Sequence, residues 1–446
     1  MKSLVYFLSA FAFAFIQLNA QQSPSNDETN WPQWRGPLST GEALTGNPPI
    51  EWSETKNVKW KIEIPGKGHS TPIIWEDKIF LTTAVETEQK VETDGGKSDE
   101  SSESRRMRGL VAESVLNFVV MAIDKKDGSI IWEKTVCAEA PTDGTHNLGT
   151  WASNSSVTDG EYIYAYFGSR GLYCMNFSGN TIWSRDFGQM EKKMSFGEGS
   201  SPVLHKNKIV VLWDHEGDSF LYILDKKTGK DIMKIARDEA TSWSTPLVVN
   251  VNGTDQVITS ATRQIRSYDL ETGEVIWYGT GMTSNVIPQP MVQGNTLFLM
   301  SGFRGNAIKA IDLSKAQGDI DNTDAIVWEY NQNASYTPSA LLANNRLYFL
   351  RSNNGNLTCL NASEGMENYS LEKLEGTGTI FASPVGVQDR IYISSQSGIT
   401  YVVKQGASFE ILAKNVLDDG NFASPAIAGD DLFIRGFQYL YCISEK

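Results

Sequence analysis

From Ser70 onward the chain repeats one pattern of apolar and polar positions. A Ser/Thr-Pro step leads into an apolar stretch, a polar turn and a second apolar run. It is seen in STPIIWEDKIFLTT from Ser70, SSPVLHKNKIVVL from Ser200, ASPVGVQDRIYIS from Ala382 and ASPAIAGDDLFIR from Ala423. Variants start at Ser244, Pro288 and Thr337 and, without proline, at Asn154, making eight copies. Each copy predicts a pair of short strands, because apolar runs of four to eight residues bounded by turn residues suit buried β-structure. A second half follows in AIDKKDGSIIW (Ala122 to Trp132), MNFSGNTIW, LDKKTGKDIM and YDLETGEVIW. There Asp or Asn opens a tight turn by bonding its own backbone, and Gly supplies the positive φ that closes it.

The anchors Pro72, Pro202, Pro246, Pro290, Pro384 and Pro425, with Ser155 and Ala340 taken as equivalents, lie 41 to 50 residues apart, except for a first interval of 83. Units of that length with four short strands each bury an apolar face only by stacking on neighbours, which is the signature of propeller blades. The prediction is all-β: an eight-bladed β-propeller of four-stranded antiparallel blades over residues 58–446. The long first interval is assigned to a charged, Gly/Ser-containing loop at about 86–113, expected to be disordered and cheap in closure entropy. The last repeat ends at YLYCISEK with only three strands. NVKWKIEI (Asn57 to Ile64) carries Trp60 in the repeat's Trp position and is expected to close the ring by pairing with that C-terminal strand, removing two open edges.

Residues 1–20 read as a secretory signal peptide, Lys2 preceding the apolar run LVYFLSAFAFAFIQL and small Ala20 standing at the expected cleavage point. Residues 21–57 form an N-terminal arm. The expected product is a soluble periplasmic or extracellular monomer with no transmembrane segment and, for want of a nearby cysteine, no lipid anchor. Net charge is −14, and loss of Lys2 with the signal leaves −15, which argues against nucleic acid as a partner.

Cys174, Cys359 and Cys442 fall on one repeat position, shared with Ala122, Ile223, Ser267, Ala310 and Val402. They sit in non-adjacent blades, too far apart for disulfides, and read as buried small hydrophobes. Cys137 has no evident partner. Trp132, Trp183, Trp277 and Trp328 recur in register and read as structural.

The unit A-x-D-x-x-x-G-x-x-x-W at Ala122 to Trp132, repeated as S-x-D-x-x-T-G-x-x-x-W at Ser267 to Trp277, resembles the tryptophan-docking repeat of quinoprotein dehydrogenases. The same repeat builds the propeller of the outer-membrane β-barrel assembly lipoprotein. NWPQWRGP (Asn30 to Pro37), TWASNSSVTDGEYIYAYFGSRGLYCMN and RDEATSWSTPLVV are more similar to exported pyrroloquinoline-quinone-like (PQQ-like) propellers of environmental bacteria. For the dehydrogenases the resemblance implies a vicinal cysteine pair over the cofactor, a Trp beneath it and Glu, Asn and Asp around calcium. No Cys-Cys occurs, and Asp214, Glu216 and Glu198 do not form a calcium loop. No cofactor is therefore expected, PQQ with calcium standing as the alternative.

His69, His146, His205 and His215 lack metal-ligand spacing, and Asp214, His215 and Asp218 in WDHEGDS read as a hydrated turn rather than a metal site. No G-x-S-x-G elbow or phosphate loop occurs. What remains is the face where blades present variable turns. Second-to-third-strand turns carry Arg170, Arg263, Arg304, Arg351 and Arg435, blade-linking segments add His69, His146, Trp151, Glu198 and Trp243, and Asp214 is a further candidate for ligand binding. Two readings stand: solvated turn arginines, or a guanidinium ring at the channel mouth suited to carboxylate, sulfate or phosphate. The expected function is a binding or scaffolding module for an envelope protein or an anionic small molecule or glycan. The alternatives are a PQQ-dependent or related oxidoreductase and an enzyme acting on acidic polysaccharides.

Overall fold

The apolar runs form eight antiparallel sheets. This computed structural model describes residues 26–91 and 110–445; the expected signal peptide lies outside the described residues. The first blade is Ile73–Trp75, Lys78–Lys90, Ser114–Asp124 and Ile130–Glu139, in that order from the axis outward. Six further blades repeat this order. Second strands such as Lys208–Trp213 and Arg390–Ser394 are buried at every residue, whereas the outer strand Asp231–Arg237 is largely exposed or half-buried. That gradient explains why the second strands are written as continuous apolar runs: neighbouring blades cover both of their faces.

In the eighth sheet, Val58–Glu63 pairs antiparallel with Tyr439–Ile443, Trp60 opposite Cys442. The repeat position holds throughout. Ala122 lies between Phe80 and Trp132, Cys174 between Tyr164 and Trp183, and Cys359 between Tyr348 and Tyr369. In these three blades a small side chain fits because aromatic residues flank it on both strands, whereas Ile223 lies between Val210 and Met233. Cys174, Cys359 and Cys442 are buried free thiols, and Cys137 is a half-buried one.

The tryptophans join one blade to the next. Trp60, Trp132, Trp183 and Trp328 donate Nε1–H to the carbonyls of Lys125, Phe177, Lys226 and Ala362 at 2.9–3.1 Å. Trp277 is wholly buried and its Nε1 lacks a partner among the described residues. Its outer strand is covered by Gly318–Asp319, which pairs with it in parallel and gives that sheet a fifth strand.

Two expectations are corrected. The equivalent of the anchor prolines in the second blade is Ser156, not Ser155: Val157 pairs with Tyr164 as Ile73, one residue after Pro72, pairs with Phe80. The loop expected at about 86–113 is narrower, because Glu86 pairs with Leu116 and Lys90 with Ser114. Residues 86–90 continue the second strand with polar, mostly exposed side chains, while Ser114 and Leu116 opposite them are buried. The remainder, residues 92–109, lies outside the described residues.

The Ser or Thr before the anchor fastens one blade to the next. The backbone N–H of Thr71 donates to Ser155 Oγ, that of Ser155 to Ser201 Oγ and that of Ser201 to Thr245 Oγ1, at 2.9–3.0 Å. On the other side of the ring, Gln289 donates to Ser339, Ser339 to Ser383 and Ser383 to Ser424. Each hydroxyl satisfies a backbone donor of the preceding blade that no strand partner reaches.

Residues 30–57 lie across this ring. Trp31 exchanges hydrogen bonds with Ile74, and Ala43 pairs with Gly386 on the far side. Between them Arg35 is 1 % exposed and donates to the carbonyls of Ala340 and Pro384 at 2.8 and 2.9 Å. Burial lowers its pKa to about 9. The arm thus ties the first, sixth and seventh blades together before the chain enters the closing strand.

Candidate functional site

The blade-linking segments converge on one mouth of the channel, where they enclose a cavity of about 560 Å³. Its wall follows a rule of position: the residue three places before every anchor, counting Ser156 and Ala340 as anchors, lines it. Five of these are bulky, namely His69, Trp243, Ile287, Phe381 and Phe422, and three are small or hydroxylated, namely Ser153, Gly199 and Thr337. The small ones at the second and third blades leave room for His146, Phe196 and Glu198 to reach the same space. Trp34, from the arm that crosses the ring, faces the cavity from the side of the inner strands and forms its floor.

Aromatic rings are paired around this wall. Phe303 and Tyr336 lie 4.8 Å apart at 30°, and Phe381 and Phe422 4.5 Å apart at 31°. His69 meets Phe422 edge-on, and His146 meets Phe196 in the same way. Trp243 is pinned by its Nε1–H to the Gly197 carbonyl at 2.9 Å. Burial, and then the Arg435 charge, lower the His69 pKa to about 3; burial also lowers that of His146. Both imidazoles are therefore neutral near pH 7. Glu198 is the one carboxylate among the lining residues, and it is engaged by Lys192 at 2.9 Å and by the Ser169 amide and hydroxyl at 2.6 and 2.7 Å. No Lys or Arg is among the described residues that line the cavity.

The five turn arginines are not brought together there. Arg170 is buried against Glu139, Gln189 and the Ala140 carbonyl. Arg263 is exposed and paired with Asp238. Arg304, at φ 52°, lies over the ring of Phe303 and faces solvent, as Arg351 does. Arg435 is 1 % exposed and donates to the Ser70 and Thr82 carbonyls at 3.2 and 2.8 Å, which seals the eighth blade to the first. A guanidinium ring at the channel mouth is corrected to five separate roles, because each side chain meets a nearer acceptor or open solvent before it reaches the axis.

Asp214 is also corrected. It is no hydrated turn residue but a buried partner of Arg237, with contacts of 2.7 and 3.0 Å. Trp151 packs beside the site and donates to the Asp143 carbonyl at 3.2 Å, without lining the cavity. His69, His146 and Trp243 do line it. Sequence reasoning missed Trp34, Ile287, Phe303, Tyr336, Phe381 and Phe422. Three of them, Ile287, Phe381 and Phe422, carry one signal, a fixed offset of three residues before their anchors.

A model of the family described as outer membrane protein assembly factor BamB matches residues 45–234 and 217–446. Among solved structures, BamB from Moraxella catarrhalis is similar at TM-score 0.53 and 13% identity, over 81% of this chain and 98% of that one. A europium-containing methanol dehydrogenase gives TM-score 0.60 at 10% identity, over 91% and 89%. The computationally designed Ika8 protein gives 0.53 at 12%, over 75% and 95%. No curated protein matches the sequence. At such identities the structural likenesses speak for the fold alone.

Proposed function

This chain belongs to the family of the outer membrane protein assembly factor BamB, and we propose that it is a binding module of the cell envelope whose central cavity holds an uncharged, ring-bearing ligand. The observation that carries this reading is the composition of the wall: paired aromatic rings and two neutral imidazoles, with no Lys or Arg among the described residues that line it. An anionic ligand would lose its hydration there without gaining a counter-charge, at a cost of several kcal/mol. A neutral ring gains stacking and apolar contact instead. The volume falls within the roughly 300–1,000 Å³ usual for small-molecule sites. The leader at residues 1–20 supports an envelope location, and the BamB name supports a protein partner there.

The same wall argues against PQQ. That cofactor is a tricarboxylate, and its charges would meet Glu198 and the aromatic rings rather than guanidinium groups. Among the described residues no cluster of three or more His, Cys, Asp or Glu could hold a metal ion beside it. The donor set does not fit the quinone, and acidic polysaccharides are disfavoured for the same reason.

The test is titration of the mature protein with indole and with indole-3-carboxylate, followed by tryptophan fluorescence. Indole is expected to bind and its carboxylate to bind more weakly. Tighter binding of the carboxylate, weakening as salt is added, would overturn the reading.

A further inference from the structure

The hydroxyls that fasten blade to blade have a second consequence at the cavity. Ser155, Ser201 and Ser424 line it, and each accepts a backbone N–H from the preceding blade. Their oxygens are thereby oriented, while their own O–H groups have no acceptor among the described residues. Asn353 behaves alike: its Oδ1 accepts the Thr337 amide at 2.9 Å, leaving the NH₂ end without a partner among the described residues. The wall therefore offers fixed hydrogen-bond donors near the inner strands and half-buried aromatic faces above them.

Resting on the reading of the cavity as a site for an uncharged ligand, we infer that this ligand is a neutral carbohydrate of about disaccharide size. A sugar ring presents an apolar C–H face to Trp243 or Tyr336 and equatorial oxygens to the hydroxyl donors. A flat aromatic hydrocarbon would satisfy the first and leave the second buried and unpaired. A charged sugar would meet the desolvation cost set out above. Glu198 does not contradict this, because Lys192 and Ser169 already neutralise and occupy its oxygens.

The experiment is calorimetric titration of the mature chain with cellobiose, maltose and xylobiose, with digalacturonate and indole as comparison probes. At least one neutral disaccharide is expected to bind with an affinity insensitive to salt. Trp243→Ala and Tyr336→Ala should each weaken it about tenfold, in line with loss of one stacked ring. Ser201→Ala should weaken it too, and thermal melts would confirm that the variants fold. The Tyr336 variant serves if Trp243→Ala is unstable. Binding of indole without any neutral disaccharide overturns the carbohydrate inference and leaves the uncharged-ligand reading standing. Salt-sensitive binding of digalacturonate overturns both. A disaccharide that binds all three variants as it binds the parent also overturns the inference.

Discussion

The indole of Trp60 lies over Gly128: a Cβ on that glycine would fall 2.8 Å from the ring, and Trp60 Nε1 donates to Lys125 three residues earlier. The same glycine sits at φ +79°, so it is needed both for the turn and for the space. Gly128→Ala is expected to destabilise the protein by about 1–3 kcal/mol, and Trp60→Ala by about 3–5 kcal/mol. Denaturant midpoints read both. Because the residues touch, the double variant should lose less than the sum; strict additivity would show that the contact does not hold the ring closed.

Arg435 ends the second strand of its blade, opposite Leu440, whereas Arg304 lies in the turn beyond Thr296–Ser301, and the two should behave oppositely. Arg435→Ala removes the guanidinium donor from the Ser70 and Thr82 carbonyls at the closing seam, leaving Thr82 only the Ser70 hydroxyl. A loss of about 1–3 kcal/mol is expected. Arg304→Ala and Arg351→Ala, which change exposed side chains, should stay within about 0.5 kcal/mol of the parent. Thermal melts on the three variants decide this, and equal effects would refute the assignment of Arg435 to the seam.

The Asp214 and Arg237 side chains are both sealed from solvent. Asp214→Asn leaves a buried guanidinium unpaired, and a loss of about 3–5 kcal/mol is expected. Replacing both residues with apolar ones of similar volume should recover much of it. Added calcium or zinc should leave the melting temperature of the parent unchanged; a rise would restore the metal reading for this turn.

His69 links stability to pH. Its pKa falls from 6.5 to about 3 on folding, chiefly through burial and then through the Arg435 charge. Below 6.5 the unfolded chain takes up a proton that the native imidazole refuses. Stability from this group is therefore complete above pH 6.5 and lost progressively as pH falls towards 3. His69→Phe should narrow the difference in melting temperature between pH 7.5 and pH 5, and an unchanged difference would show that His69 is protonated in the native state.

The repeat was legible because its determinants are local. Continuous apolar runs, Asp and Gly in tight turns, and a small residue such as Cys174 between Tyr164 and Trp183 are dictated by strand pairing within one blade. Even the cavity was half written in the chain, since His69, Trp243, Phe381 and Phe422 share an offset from their anchors. The slip at Ser155 shows the limit. Without proline to mark the step, only the pairing of Val157 with Tyr164 fixes the register.

Sequence by itself determined the number of blades, most of their strands and the tryptophans that dock one blade on the next, because those follow from period, turn chemistry and burial within about 45 residues of chain. Tertiary structure alone decided the direction of the arginines. Whether a guanidinium reaches the inner strands, as Arg35 does from the arm, or a seam, as Arg435 does, depends on carbonyls supplied by blades hundreds of residues away. The same holds for Trp34: its place as the floor of the cavity requires the whole ring to close around the arm, and no local pattern encodes that distance.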